Sequence, residues 1–97
     1  MIFKMEKSNV IGDNIRRIRL KTGLTQAQFG ATLNKSQSAI YSYENGTVVP
    51  SFDLLTEIAQ LYGVPVGHIM GIEWRPLSGR ALRELYRIYT EEVQEDE

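Results

Sequence analysis

The sequence contains no cysteine, a single histidine and no long hydrophobic run. The lack of cysteine excludes disulfides and thiolate metal sites, and it suits the reducing cytoplasm in which we expect the protein. His68 has no companion ligand at a metal-binding spacing, so we expect neither a metal nor another cofactor. Because no apolar run approaches the roughly 18 residues that cross a bilayer, and no signal peptide opens the chain, we expect no membrane partner.

Catalytic constellations are also missing. There is no serine–histidine–acid set, no pair of carboxylates in a recognisable cleft pattern and no glycine-rich phosphate loop, so we expect no enzymatic activity. The 97 residues, of which 42% are hydrophobic and 24% charged, suit one small globular domain with an appendage at most. Such a chain can bury one modest core, which favours a small helical unit.

The charge is divided along the chain although the net charge is only −1. Residues 1–50 contain seven lysines and arginines against three acids, which gives +4, and residues 51–97 contain four arginines against nine acids, which gives −5. A basic half permits phosphate contact from one face of the protein, while the acids concentrate at the opposite end of the chain.

Cap residues and apolar periodicity predict six helices and no strands. A flexible lead-in at residues 1–8 precedes a domain at 9–71, whose first helix is capped by Ser8 or Asn9. Asn34 separates the second and third helices, because asparagine tolerates the left-handed backbone of a tight turn. The five predicted helices of the domain span approximately residues 10–22, 26–33, 37–45, 52–62 and 65–70.

The last predicted helix is amphipathic and follows a linker at residues 72–77. It covers residues 78–93 and is followed by an acidic tail at 94–97. Its apolar stripe lies beyond the five-helix unit and needs a surface that buries it, so we expect a homodimer or another protein partner there. The predicted dimerisation residues are Leu82, Leu85, Tyr89 and Val93.

The second and third helices carry the residues suited to double-stranded DNA. Gln37 and Ser38 lie in the first turn of the third helix, and Ser42 lies one turn further on. Amide and hydroxyl groups there can reach base edges in the major groove, whereas Tyr41 either stacks on a sugar or packs locally. Polar or basic residues near the helix ends suit phosphate oxygens. The predicted phosphate contacts are Arg16, Thr25, Gln26, Lys35, Ser36 and Asn45.

Three runs carry a resemblance to a known family: Gly-Leu-Thr-Gln at 23–26, Leu-Asn-Lys-Ser-Gln-Ser-Ala-Ile at 33–40 and Glu-Asn-Gly at 44–46. Together they resemble the Cro/repressor-type (XRE-like) helix-turn-helix family over about residues 11–71. The resemblance implies an all-α fold, a five-helix lambda-repressor-like DNA-binding domain, here with an additional C-terminal amphipathic helix. It also implies DNA reading by the second and third helices, and dimers.

The resemblance assigns roles to individual positions. The family's phosphate contacts fall on Gln26 and Asn45, and an ion pair that ties the first helix to the third falls on Arg19 and Glu44. Its base-reading positions fall on Gln37, Ser38 and Ser42, with Tyr41 on the flank. Two departures, Asn34 at the turn and Gly30 inside the second helix, are sterically permissive.

A third departure concerns the loop after Gly46, which carries Val48 and Val49 where the family often has basic residues. We therefore expect weaker contact with the DNA backbone and a lower non-specific affinity. The sequence predicts a sequence-specific transcriptional repressor that binds an inverted repeat as a dimer. The alternatives are an antitoxin or an adaptor whose C-terminal helix binds a protein partner.

Overall fold

The computed structural model describes residues 2–72 and 78–95, with the side chains of 10–72, 78–88, 90 and 91. Within these ranges every regular element is helical, so the predicted all-α class is confirmed. No described helix is both long and apolar enough to cross a membrane. The helices are α1 (Ile2–Thr22), α2 (Gln26–Thr32), α3 (Gln37–Glu44), α4 (Phe52–Tyr62), α5 (Val66–Met70) and α6 (Gly79–Glu95).

Short-range capping explains why α2, α3 and α4 begin where the sequence predicts. Thr25, Ser36 and Ser51 precede these helices, and each hydroxyl accepts a hydrogen bond from the backbone N–H three residues later. Gln28 returns its side chain to the Thr25 N–H and completes a capping box. Asn34 adopts a φ of 58°, the left-handed conformation that the turn between α2 and α3 needs.

The first helix begins earlier than predicted. It starts at Ile2, so residues 2–8 of the expected flexible lead-in are helical, and the proposed cap at Ser8 or Asn9 lies inside the helix. The physical reason is that residues 2–9 contain neither proline nor glycine to stop the helix from extending backwards. The polar residues there are compatible with a helix interior.

The core lies between α1, the α2–α3 pair, α4 and α5. The ring of Phe29 on α2 stacks on that of Tyr62 on α4, with centroids 5.1 Å apart. Among the described residues, the largest fully buried side chains lie on the inward stripes of these helices, where they exclude water from the centre of the domain. They are Ile15, Phe29, Ile40, Leu55, Ile58 and Ile69.

A buried amide joins the first helix to the fifth. Asn14 lies on the inner face of α1, and its Nδ2 donates to the backbone carbonyls of His68 and Ile69, each at 3.1 Å. These carbonyls belong to the last turn of α5, where a helix leaves carbonyls without partners of its own, and that of His68 also accepts from the Gly71 N–H at 3.1 Å. One side chain therefore fixes the end of a five-residue helix that would be unstable alone.

The C-terminal helix packs on the domain, which the sequence prediction did not anticipate. Leu82 and Tyr86 are buried in the shared core, and α6 contacts both α1 and α4. Leu82 is therefore unavailable for the dimer contact predicted for it, because the monomer already covers it. The helix also continues to Glu95 and so includes the first two residues of the predicted tail at 94–97. Residues 73–77 of the predicted linker lie outside the described residues.

Candidate nucleic-acid interface

The turn between α2 and α3 depends on the close approach of two backbone segments. The Lys35 N–H donates to the Gly30 carbonyl at 2.8 Å, and a Cβ on Gly30 would lie 2.5 Å from the Lys35 carbonyl oxygen. An alanine cannot occupy this position unless the backbone shifts. Gly30 is thus required by this turn, not merely permitted as the sequence indicated.

A continuous chain of hydrogen bonds runs from the core to the surface of α3. The Arg19 guanidinium donates twice to the Glu44 carboxylate, at 2.6 and 3.1 Å. That carboxylate also accepts from Gln26 Nε2 at 3.0 Å, and Gln26 Oε1 accepts from Gln37 Nε2 at 2.7 Å. The predicted Arg19–Glu44 ion pair is present, and through Gln26 it restrains the residue expected to read DNA.

The ion pair is shielded from water, with side-chain exposures of 11% for Arg19 and 5% for Glu44. Hydrogen bonding to Glu44 raises the pKa of Arg19, while burial opposes the shift. Because the pKa of Arg19 is raised in the folded protein, the ion pair stabilises the fold fully below the ordinary arginine pKa. This stabilisation is lost only as the pH rises through the raised pKa. The cation therefore persists throughout the physiological range.

The predicted base-reading residues share one face of α3, with different accessibility. Gln37 and Ser38 are exposed in its first turn, and Tyr41 has 57% of its surface exposed, which argues against local packing of its ring. Ser42 is only half-buried, and its carbonyl accepts from the N–H groups of Thr47 and Val48 at 3.1 and 3.3 Å. Gln37, Ser38 and Tyr41 therefore form the most accessible part of this surface.

The predicted phosphate contacts differ in how accessible their polar groups are. Arg16 and Lys35 are exposed cations. The hydroxyls of Thr25 and Ser36 are occupied by helix caps, which makes them weaker candidates than their sequence positions indicated.

Asn45 lies at the other end of α3, where its Oδ1 accepts from the Thr47 N–H at 2.9 Å and from the Thr47 hydroxyl at 2.5 Å. These bonds fix the orientation of the Asn45 amide at the start of the loop that leads to α4. Thr47 was not recognised from the sequence as its partner, although Asn followed two residues later by Thr is a recurrent local turn pattern.

Gly12 lies where α1 packs against the end of α3, and this role was not predicted from the sequence. A Cβ at Gly12 would lie 2.5 Å from the Tyr43 carbonyl oxygen and 2.8 Å from that of Glu44. The first helix therefore crosses the end of α3 at backbone contact distance. The sequence contains no local signal for this crossing, because it depends on the packing of two distant segments.

Two capped helices joined by a tight turn, with exposed amide and hydroxyl groups on the second, define a helix-turn-helix module. The family model described as helix-turn-helix matches residues 15–69, more than half of the chain. The chain belongs to this helix-turn-helix family, the Cro/repressor-type (XRE-like) family that its sequence resembles. Such modules bind DNA, and α3 occupies the position that the recognition helix has in them.

Two curated relatives each match just over three fifths of the chain. The chain is 36% identical over 62 residues to Antitoxin PezA of Streptococcus pneumoniae, an alignment covering 64% of the chain and 39% of that protein. It is 37% identical over 60 residues to an uncharacterised HTH-type transcriptional regulator, y4dJ, of Sinorhizobium fredii, covering 62% of the chain and 78% of the relative. The chain thus spans about two fifths of the antitoxin's length. No solved structure matches it significantly.

Proposed function

We propose that this protein is a DNA-binding transcriptional repressor that binds an inverted-repeat operator as a symmetric homodimer, with α3 of each subunit in the major groove. The observation that carries the proposal is the restrained Gln37 amide at the exposed N-terminal end of α3. A side chain held in place before binding loses less conformational entropy when it meets a base.

The orientation of the Gln37 amide favours adenine as its base. One Nε2 hydrogen is used in the bond to Gln26, which leaves the other hydrogen and Oε1 for a ligand. Adenine presents N7 as an acceptor and its N6 amino group as a donor in the major groove, and glutamine can bind both together. Ser38 and Tyr41 then contact neighbouring bases or the sugar–phosphate backbone.

Selection of bound sequences from random duplex DNA tests this proposal, with Gln37→Ala as the informative variant. We expect the wild-type protein to select two half-sites about one helical turn apart, each with a preferred adenine. Gln37→Ala should lose the preference at that position, a discrimination of about 1–3 kcal/mol, while the other positions and the salt dependence stay unchanged.

Gln60→Ala is the matched control, because Gln60 is an exposed glutamine on α4, away from α3. If Gln37→Ala and Gln60→Ala select the same sequences as the wild type, Gln37 is not the reading residue. If the wild-type protein selects no sequence and its weak binding depends only on salt, the adaptor alternative replaces the proposed repressor.

The outer face of α6 is the candidate dimer contact. Leu85 and Ile88 each leave 42% of their surface exposed on this helix, and the predicted members Tyr89 and Val93 have side chains outside the described set. We expect Leu85→Glu with Ile88→Glu to convert a dimer into a folded monomer, because the two carboxylates would have to be buried in the interface. Light scattering together with circular dichroism measures mass and folding.

Leu61→Glu is the control, since Leu61 is 53% exposed on α4 and has the same chemistry outside the proposed contact. An unchanged dimer in the α6 double variant would remove α6 from the interface. Loss of the dimer in Leu61→Glu alone would place the interface on α4.

A protein partner on α6 is the second candidate function. It is favoured by the relative named as an antitoxin and by the same exposed apolar side chains. The alignment covers 62 residues, which are 39% of that relative's length. Co-purification of a stoichiometric partner with the wild type but not with the α6 double variant would favour this function over homodimerisation.

A further inference from the structure

The loop between α3 and α4, residues 45–51, is held at its first end by the recognition helix. The N–H groups of Thr47 and Val48 both donate to the Ser42 carbonyl, and the Asn45 side chain accepts from Thr47. The amide of Asn45, a proposed phosphate contact, is thus oriented through Thr47, so its orientation depends on where the loop places Thr47. The contacts with α3 do not determine the path from Val48 to Pro50, which depends on other parts of the molecule.

The second end of this α3–α4 loop is held by α6. The buried hydroxyl of Tyr86 donates to the Pro50 carbonyl, and its ring lies against that of Phe52 with centroids 5.8 Å apart. Arg83 lies 5.0 Å from the centre of the Phe52 ring and forms an ion pair with Asp53 at 2.6 Å. Four contacts from one helix therefore converge on the residues that connect the loop to α4.

The composition of the loop makes its position important. It contains no lysine or arginine, and Val48 occupies an exposed position where a long cation would otherwise reach a phosphate. Asparagine has a short side chain, so the distance from Asn45 to a phosphate is set almost entirely by the backbone. A displacement of about 1 Å is enough to break a hydrogen bond.

We propose that Tyr86 is a positioning residue for DNA binding: its hydroxyl holds the α3–α4 loop so that Asn45 reaches a phosphate. The inference rests on the proposed function, which supplies the phosphate contact of Asn45. It goes beyond the family match, which ends at residue 69, because Tyr86 lies in a helix outside the matched region.

Hydrogen exchange tests the mechanical part of this proposal without DNA. Tyr86→Phe keeps the ring but removes the bond to Pro50. We expect the amides of Thr47 and Val48 to exchange about tenfold faster than in the wild type, after correction for global unfolding measured at Ile58. Tyr62→Phe is the matched control, since it removes a hydroxyl bonded to Thr32 at 2.8 Å, away from the loop. Equal exchange at Thr47 and Val48 in the wild type and Tyr86→Phe would overturn the proposal.

DNA binding tests the functional part, with the selected operator and a second duplex carrying one neutral methylphosphonate at the phosphate nearest Asn45. We expect Tyr86→Phe to bind the operator about three- to tenfold more weakly, with unchanged base preference. The methylphosphonate should weaken the wild type and Tyr62→Phe but have little further effect on Tyr86→Phe. Equal methylphosphonate penalties in all three proteins would overturn the positioning role. Absence of sequence-specific binding by the wild type would instead overturn the proposed function, while the exchange result would still decide whether Tyr86 holds the loop.

Discussion

Glu44→Ala is expected to lower the free energy of unfolding by about 3–5 kcal/mol, measured by urea denaturation. The substitution leaves the Arg19 guanidinium largely buried with only the Leu24 carbonyl as a described acceptor, at 2.9 Å. It also removes the acceptor that orients Gln26, and through it Gln37. Stability and base preference should therefore fall together.

Glu84→Ala is the matched control, because Glu84 also pairs with an arginine, Arg87, but on the exposed side of α6. Solvent screens such a pair, so its loss should change the unfolding midpoint very little. Replacing both members of the buried pair, with Arg19→Met and Glu44→Leu, should recover much of the loss, since no unpaired charge remains. A Glu44→Ala midpoint equal to that of Glu84→Ala would show that burial of the pair is unimportant.

Gly12→Ala is expected to destabilise the protein by about 2 kcal/mol, although alanine is the better helix former by about 1 kcal/mol. The added methyl group would lie 2.5 Å from the Tyr43 carbonyl oxygen, so α1 and α3 would have to separate. The methyl group is attached directly to the backbone of α1, and the atoms it would meet belong to the backbone of α3. No side-chain rotation can therefore relieve the overlap. Thermal unfolding followed by circular dichroism measures the effect.

Gly79→Ala provides the opposite case, since a Cβ at this helical glycine meets no atom of the described residues within 4 Å. Helix propensity then acts alone, and the substitution should be neutral or stabilising. Opposite signs for these two glycine-to-alanine changes would establish the close crossing of α1 and α3. A stabilising Gly12→Ala would mean that the two helices can separate without loss of packing.

Local chemistry explains which parts of the fold could be predicted from the sequence. Ser36 and Ser51 act within three residues of their own position, and Asn34 sets its own backbone conformation, so the limits of α2, α3 and α4 follow from short patterns. The start of α1 did not follow, because no local signal opposes its extension. Residue spacing alone also did not reveal the Arg19–Glu44 pair, which the family resemblance supplied.

Contacts between distant segments account for the features that were missed. In the sequence, Asn14 cannot be distinguished from any other polar residue of a helix. Only the position of α5 places two backbone carbonyls within hydrogen-bonding distance of its amide. The docking of α6 was missed for the same reason, since an amphipathic stripe does not specify whether its own domain or a partner covers it. Leu82 and Tyr86 are covered by their own domain, whereas Leu85 and Ile88 remain exposed.

The burial of Leu82 and Tyr86 also affects how the protein can be divided for experiments. A fragment that ends at residue 71 would retain the whole helix-turn-helix but would expose Phe52 and the Pro50 carbonyl where α6 now covers them. A fragment of family length is therefore expected to aggregate more readily and to be cleaved sooner by proteases near residue 50. For this chain, the boundary of the independently folding unit lies beyond the boundary of the recognisable family.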